Sequence, residues 1–272
     1  MAEGCDRMKA GFYQFNPSFG EKGKNLHKVL SALYNTDAEL IVLPEFFATG
    51  YQFASMEEVA ELSEEIPGGE TVKVLSDLSR QKNLYIVAGL PERDGERFYN
   101  SAALIGPGGF IGTYRKTHLY FEEKLYFSPG DTGFKVWETD IGRIGIMICF
   151  DWFFPESMRT LALMGAEVVA HPANLVLPWC PQAMPIRSLE NGAFAVTANR
   201  TGVETRKEGR SLRFIGQSQI TSPDGRVLAR ASEDEEGVHV VDIDPAIAGN
   251  KSLNPLNDLF EDRRPEMYKY KG

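Results

Sequence analysis

Cysteine, basic residues and long apolar runs are all scarce in this chain, and each shortage excludes something. Three cysteines in 272 residues, Cys5, Cys149 and Cys180, are odd in number, far apart and without a C-x-x-C pair. They offer neither a disulfide framework nor a zinc ribbon, so any chemistry of Cys149 is that of a free thiol. Lys and Arg number 29 against 38 Asp and Glu, for a net charge of −9, and the basic residues are scattered. No stripe is available to neutralise a phosphate backbone, so nucleic acid is not an expected partner. No run approaches the roughly 18 apolar residues of a membrane span, and the opening "MAEGCDRMKAGFYQF" lacks a basic region followed by an apolar one. A cytoplasmic protein without a membrane partner is the expectation. A zinc site built on His118 and His171 would lack a third close ligand. There is no linker, low-complexity segment or solenoid repeat.

What is present reads as one large α/β domain, or two small ones, since 43% hydrophobic and 25% charged residues over this length suffice for a full core. The segments "AELIVLPE" (38–45), "LYIVAGL" (84–90), "IGIMIC" (144–149), "AEVVAHP" (166–172), "AFAVTAN" (193–199) and "GVHVVDID" (237–244) are short apolar runs of the kind expected of strands covered on both faces. Between them the period becomes 3.6. Leu26, Val29, Leu30 and Leu33 predict one helix, Thr71, Val74, Leu75 and Leu78 a second, and Met158, Leu161, Ala162 and Gly165 a third. Hairpins are expected at "GPGG" (106–109) and "SPDG" (222–225), which makes the sheets mixed. From Asn250 to Gly272 the chain has no period and many charges, yet carries Leu253, Leu256, Leu259, Phe260, Met267 and Tyr270. It reads as a tail lying on something.

Three polar residues then stand out by position. Glu45, Lys116 and Cys149 each end an apolar run, at the carboxyl ends of strands, where loops splay apart and ligand crevices form. Each alone has an ordinary reading, as a loop carboxylate, a solvated ammonium and a buried inert thiol. Together they have a chemical logic. A carboxylate can take a thiol proton, and an ammonium can hold first the thiolate and then the oxyanion of a tetrahedral intermediate. Backbone N–H groups of a helix starting after Cys149 would add oxyanion donors and lower the thiol pKa. His118, two residues after Lys116, could instead serve as a base in a Cys–His arrangement, and His171 could line the pocket. Trp179, Cys180 and Pro181 read as a loop over the pocket mouth, with Cys180 incidental.

The motifs "LPEFFATGY", "GTYRKTHLY", "EEKLYFSPGD" and "ICFDWFFPE", the last with a C-x-D-x-x-x-P-E signature, follow the order and approximate spacing of the nitrilase superfamily of carbon–nitrogen hydrolases, which the chain resembles over nearly its whole length. The resemblance implies a single-domain four-layer α-β-β-α sandwich with two mixed sheets over 1–249, with 250–272 a tail packing at or near the interface of a homodimer or higher even oligomer. It implies no metal or organic cofactor. It makes Glu45 the general base, Lys116 the oxyanion stabiliser and Cys149 the nucleophile. Glu123, chosen over Glu122, becomes a second catalytic glutamate, and Phe150, Trp152, Asn174 and Tyr51 are expected to bind substrate. Asp151 and Glu156 are expected to orient the turn and the helix start.

The expected reaction is hydrolysis of a small linear amide or carbamoyl amine through a cysteine thioester. Many resembling nitrilases carry Cys-Trp-Glu where this chain has Cys149-Phe150-Asp151, which favours an amidase over a nitrilase with the same triad. A catalytically inactive binding or regulatory homologue is the alternative from another class. Relatives acting on N-carbamoyl amino acids grip a carboxylate with arginines shortly after the C-x-D. Trp152, Phe153 and Phe154 stand there instead, so a neutral or amine-bearing substrate is expected, unless Arg187 or Arg200 enters from another loop. The stretch "EEKLYFSPGDTGFKVW" resembles N-carbamoylputrescine amidases.

Overall fold

The apolar runs become strands and the 3.6-residue periods become helices in a computed structural model that describes residues 7–206 and 209–268. Cys5 and Tyr270 lie outside the described residues. In chain order the strands are β1 (Met8–Gln14), β2 (Leu40–Val42), β3 (Tyr85–Asp94), β4 (Arg97–Gly106), β5 (Gly109–Arg115), β6 (Val136–Thr139), β7 (Gly142–Ile146), β8 (Val168–Pro172), β9 (Phe194–Ala198), β10 (Val203–Arg206), β11 (Arg210–Arg213), β12 (Gln219–Thr221), β13 (Val227–Arg230) and β14 (Gly237–Ile243), with a short hairpin, β15 (Ser252–Asn254) and β16 (Asn257–Asp258), in the tail. The helices are α1 (Lys22–Tyr34), α2 (Met56–Leu62), α3 (Glu70–Lys82), α4 (Glu123–Tyr126), α5 (Pro155–Leu163) and α6 (Cys180–Asn191).

Two six-stranded sheets form, in the orders β14-β1-β2-β3-β4-β5 and β13-β12-β9-β8-β7-β6. Each has a parallel centre, β1-β2-β3 and β7-β8-β9, flanked by antiparallel strands, so both are mixed. The sheets face each other through β1, β2 and β3 against β8 and β9, while α1 and α3 cover the outside of the first and α5 and α6 the outside of the second. This is the four-layer α-β-β-α sandwich. Its central strands lack alternation because both faces are buried, as along Leu40, Ile41 and Val42.

Each predicted helix exists and buries most of the stripe that predicts it, with Leu30 and Val74 half-buried. Leu26, Val29 and Leu33 are buried in α1, Thr71, Leu75 and Leu78 in α3, and Met158, Leu161 and Ala162 in α5, with Gly165 beyond the end of α5. The run at 38–45 is strand only over Leu40–Val42. Leu43 N–H still donates to Val87 O (2.8 Å), but Pro44 has no N–H to give and Phe46 takes φ 51°, so the chain leaves the sheet at Glu45. Sequence reading missed β1, the β3–β4 hairpin and the β10–β11 hairpin. The tail is not aperiodic, since it folds into β15 and β16, yet Leu253 and Leu256 stay 66% and 88% exposed. Among the described residues no helix is long and apolar enough to cross a membrane.

Candidate active site

The ends of β2, β5 and β7 deliver Glu45, Lys116 and Cys149 to one buried place. Glu45 is fully buried, and its backbone lies so close to β3 that a Cβ on Gly89 would stand 2.6 Å from the Glu45 Cα, so only glycine fits there. Asn174 Nδ2 donates to the Glu45 carbonyl at 2.8 Å, tying this turn to the loop after β8. Lys116 N–H donates to Asn100 O at 2.7 Å and Lys116 O accepts from Gly130 N–H at 2.9 Å, so the main chain on both sides of the lysine is held.

Cys149 occupies the left-handed region, φ 42°, which is uncommon for a residue with a side chain and persists here because its surroundings hold it. Its carbonyl accepts from His171 Nε2–H at 3.0 Å, leaving Nδ1 to accept from the Thr197 hydroxyl at 3.0 Å. Burial pushes the imidazole pKa down to about 4, so this histidine is a neutral bracket on the cysteine backbone. Asp151 folds back on the turn. Its carboxylate accepts from Ile148 N–H (2.9 Å), the Tyr114 hydroxyl (2.7 Å) and His118 N–H (3.1 Å), with His118 Nδ1 also at 2.8 Å. His118 therefore belongs to a clamp between the lysine loop and the cysteine turn. Among the described residues no three His, Cys, Asp or Glu side chains group as metal ligands.

The Lys116 ammonium, fully buried, lies 2.8 Å from Glu45 Oε1 and 2.8 Å from each oxygen of Glu123. Asn100 Nδ2 donates to Glu45 Oε1 (2.6 Å) and Glu123 Oε2 (3.4 Å), and the Tyr51 hydroxyl donates to Glu123 Oε1 (2.7 Å). Burial pulls the lysine pKa down, but the charges of Glu123 and Glu45 outweigh it and hold the ammonium above its ordinary range. Glu123 is pushed up by burial, against the pull of Lys116. Glu45 Oε2 has no hydrogen-bond partner among the described residues.

The thiol corrects one expectation. A 3₁₀ turn over Cys149–Phe153 separates the cysteine from α5, which begins only at Pro155. Burial pushes the Cys149 thiol well above its usual value, with Glu45 adding to the rise and Lys116 opposing it. The thiol rests protonated and needs a base.

Cys149 opens on a cavity of about 230 Å³ whose walls include Phe150, Trp152, Asn174, Leu175 and Trp179. A second cavity of about 240 Å³ adjoins it at Tyr120 and Val176 and is lined by Tyr51, Gln52, Glu123, Phe127 and Arg210, among others. All eight residues expected at the site are thus brought together. Trp179 does face the mouth, but Cys180 and Pro181 start α6 and are buried, which corrects their placement in a loop. Neither Arg187 nor Arg200 lines either cavity. The first donates to Trp152 O and pairs with Glu190, and the second pairs with Glu204. Sequence reasoning missed Asn100, whose one signal is an amide inside the apolar run of β4, and Arg210, which reads as a surface charge.

Residues 9–250 match the family model "Carbon-nitrogen hydrolase". A protein of Pyrococcus abyssi named nitrilase is 52% identical over 96% of this chain and 99% of its own length. N-carbamoylputrescine amidase of Solanum lycopersicum is 33% identical over 89% of this chain and 86% of its own. The fold is shared with an amidase of Nesterenkonia sp. AN1, at TM-score 0.78 and 27% identity, covering 96% of this chain and 98% of the other, in a variant described as showing Michael addition of acrylamide at the active site cysteine. With its match spanning nearly the whole sandwich, the chain belongs to the carbon-nitrogen hydrolase family of the nitrilase superfamily, enzymes that act on non-peptide C–N bonds.

Proposed function

We propose that this protein hydrolyses a small linear amide or carbamoyl amine to an acid and ammonia or an amine, through a thioester on Cys149. The observation that carries the reading is a buried ammonium, Lys116, bonded to two carboxylates beside a protonated thiol that faces a cavity. Glu45, through its unpartnered Oε2, takes the thiol proton as Sγ attacks the carbonyl carbon. The oxyanion of the tetrahedral intermediate is held by Lys116 Nζ and the N–H of Phe150. Glu45 returns its proton to the nitrogen as the C–N bond breaks, and the amine leaves. Water then attacks the thioester, giving a proton to Glu45, and the C–S bond breaks to release the acid and restore the thiol. Glu123 keeps Lys116 charged and aimed. Among the described residues Cys149 and Cys180 are free thiols, which suits a cytoplasmic setting.

The walls bear on substrate charge. Around Cys149 they are aromatic and aliphatic apart from Asn174, and Arg210, the one cation lining either cavity among the described residues, is paired with Glu122 at 2.9 Å. A substrate carboxylate against Phe150 and Trp152 would lose hydration without a partner, at a cost of a few kcal/mol, or about 10²-fold in specificity. A neutral or amine-bearing acyl group meets no such penalty, and a cation gains from the aromatic faces. In a panel read by ammonia release, neutral amides and amine-bearing carbamoyl compounds turn over faster than ω-carboxylate amides of equal length. Efficient hydrolysis of a succinamate-type substrate with its neutral analogue untouched contradicts this. A second reading, hydrolysis of small aliphatic nitriles by the same groups, is favoured by the name of the 52% identical relative. Nitriles and dinitriles in the panel separate the two.

We further propose a homodimer with the tail from residue 250 at or near its interface. Leu253, Leu256 and Met267 in the tail, and Ile186 and Leu189 on α6, are exposed apolar side chains. Deletion of residues 250–272 is expected to yield monomers or to lower Tm by light scattering and thermal melting; an equally stable dimer would rule the tail out.

A further inference from the structure

Away from the reacting atoms, a second buried ion pair contacts the catalytic wall. Glu204, on β10, and Arg200, just before it, are 5% and 1% exposed. Arg200 Nη1 donates to Glu204 Oε2 at 2.7 Å, while Nη2 donates to Asn16 Oδ1 (2.7 Å) and Pro17 O (3.1 Å). Held in this way, the Glu204 carboxylate accepts the backbone N–H of Gln52 (2.5 Å) and that of Tyr51, 3.3 Å from each oxygen. Phe214 adds a packing link, with the Arg200 guanidinium 4.1 Å above its ring and the Tyr51 ring edge-on to it at 6.0 Å.

A buried ion pair contributes little stability compared with an apolar pair of the same shape, so stability alone is a poor reason for this one. Its acceptor geometry offers a better one. Tyr51 and Gln52 both line the cavity, and the Tyr51 hydroxyl reaches Glu123 Oε1, which in turn holds Lys116. We propose that Glu204 is a positioning residue of the active site: it fixes the main chain at Tyr51 and Gln52 and thereby sets the Tyr51–Glu123–Lys116 chain of contacts. The inference rests on the roles given above to Lys116 and Glu123.

Glu204→Gln tests it while keeping the shape. The amide puts an NH₂ where a second acceptor is needed, against three donors from Arg200, Tyr51 and Gln52. Steady-state kinetics are measured for wild type, Glu204→Gln, Tyr51→Phe and the double variant, at a temperature where circular dichroism shows each folded, with Cys149→Ser as control. Each single change is expected to lower kcat about 10- to 100-fold, more than it alters KM, since a displaced contact acts on the transition state. The double variant should be no slower than the slower single, because both changes interrupt one chain of contacts. Should Glu204→Gln fail to fold, Arg200→Lys, which keeps the charge and loses the second guanidinium nitrogen, enters the same cycle with the same expectation. Multiplicative losses, or a folded Glu204→Gln with wild-type kcat beside an inactive Cys149→Ser, overturn the inference and leave the hydrolase reading standing. An active Cys149→Ser overturns that reading instead.

Discussion

Cys149→Ser, Lys116→Ala and Glu45→Gln are each expected to lower turnover by at least about 10²-fold in a folded protein. In the proposed mechanism each removes a different element of one transition state. The serine hydroxyl is a poorer nucleophile at the same place. The glutamine cannot take a proton at the position of the unpartnered Glu45 Oε2. The alanine removes the ammonium, and it does more than that. Glu45 and Glu123 both bond Lys116 in a fully buried setting, so its loss leaves two carboxylates facing each other without a counter-charge. Breaking a buried pair in this way costs on the order of 3–5 kcal/mol, or forces one carboxylate to take up a proton. Lys116→Ala should therefore melt at a visibly lower temperature than the other two. Double variants should be little slower than the worse single, since the three act as a unit. Near-normal kcat in folded Lys116→Ala would remove the oxyanion role from the account.

Glu123→Ala should cost about 10²-fold in kcat, whereas Glu122→Ala should cost no more than a few-fold. The two are neighbours in the motif "FEEK", which by itself reads as a solvated acidic turn. The structure separates them. Glu123 is buried, with both oxygens on Lys116 and one also on the Tyr51 hydroxyl, whereas Glu122 pairs with Arg210, which is half exposed. Removing Glu123 frees the lysine from one of the two carboxylates that aim it. Equal and small losses at the two positions, measured as kcat on the same amide, would return Glu123 to a structural role.

The parts of this site that could be read in the sequence share a simple property: each polar residue ends its own apolar run. Glu45, Lys116 and Cys149 are legible because strand ends are local features. The roles proposed for them rest on four ordered motifs, since each residue alone has a bland explanation. Asn100 could not be read, because its Nδ2 reaches Glu45 and its carbonyl holds Lys116 only once β4 is in register with β5. In the sequence Arg200 reads only as a cation that could enter the pocket, and nothing local says that it pairs with Glu204, four residues on, and is buried with it against Tyr51. The helix start marked by Glu156 is where α5 begins, at Pro155, but the expected lowering of the thiol pKa by that helix fails for a local reason: Asp151 closes back on Ile148 N–H in a 3₁₀ turn that sets Cys149 apart from α5. The β10–β11 hairpin was missed because its strands are four residues each and rich in charged residues, with no apolar run to mark them.

The thioester on Cys149 is tested most directly by partitioning. A set of amides sharing one acyl group but differing in the leaving amine is hydrolysed in the presence of hydroxylamine, and the ratio of acid to hydroxamate is measured for each. A common acyl-enzyme, formed after the amine has left, must divide between water and hydroxylamine in one ratio whatever amine departed, and Cys149→Ser should form neither product at a comparable rate. A single ratio across the set is the predicted result. A ratio that changes with the leaving amine would mean that water and hydroxylamine attack the bound amide itself, and would contradict covalent catalysis by Cys149.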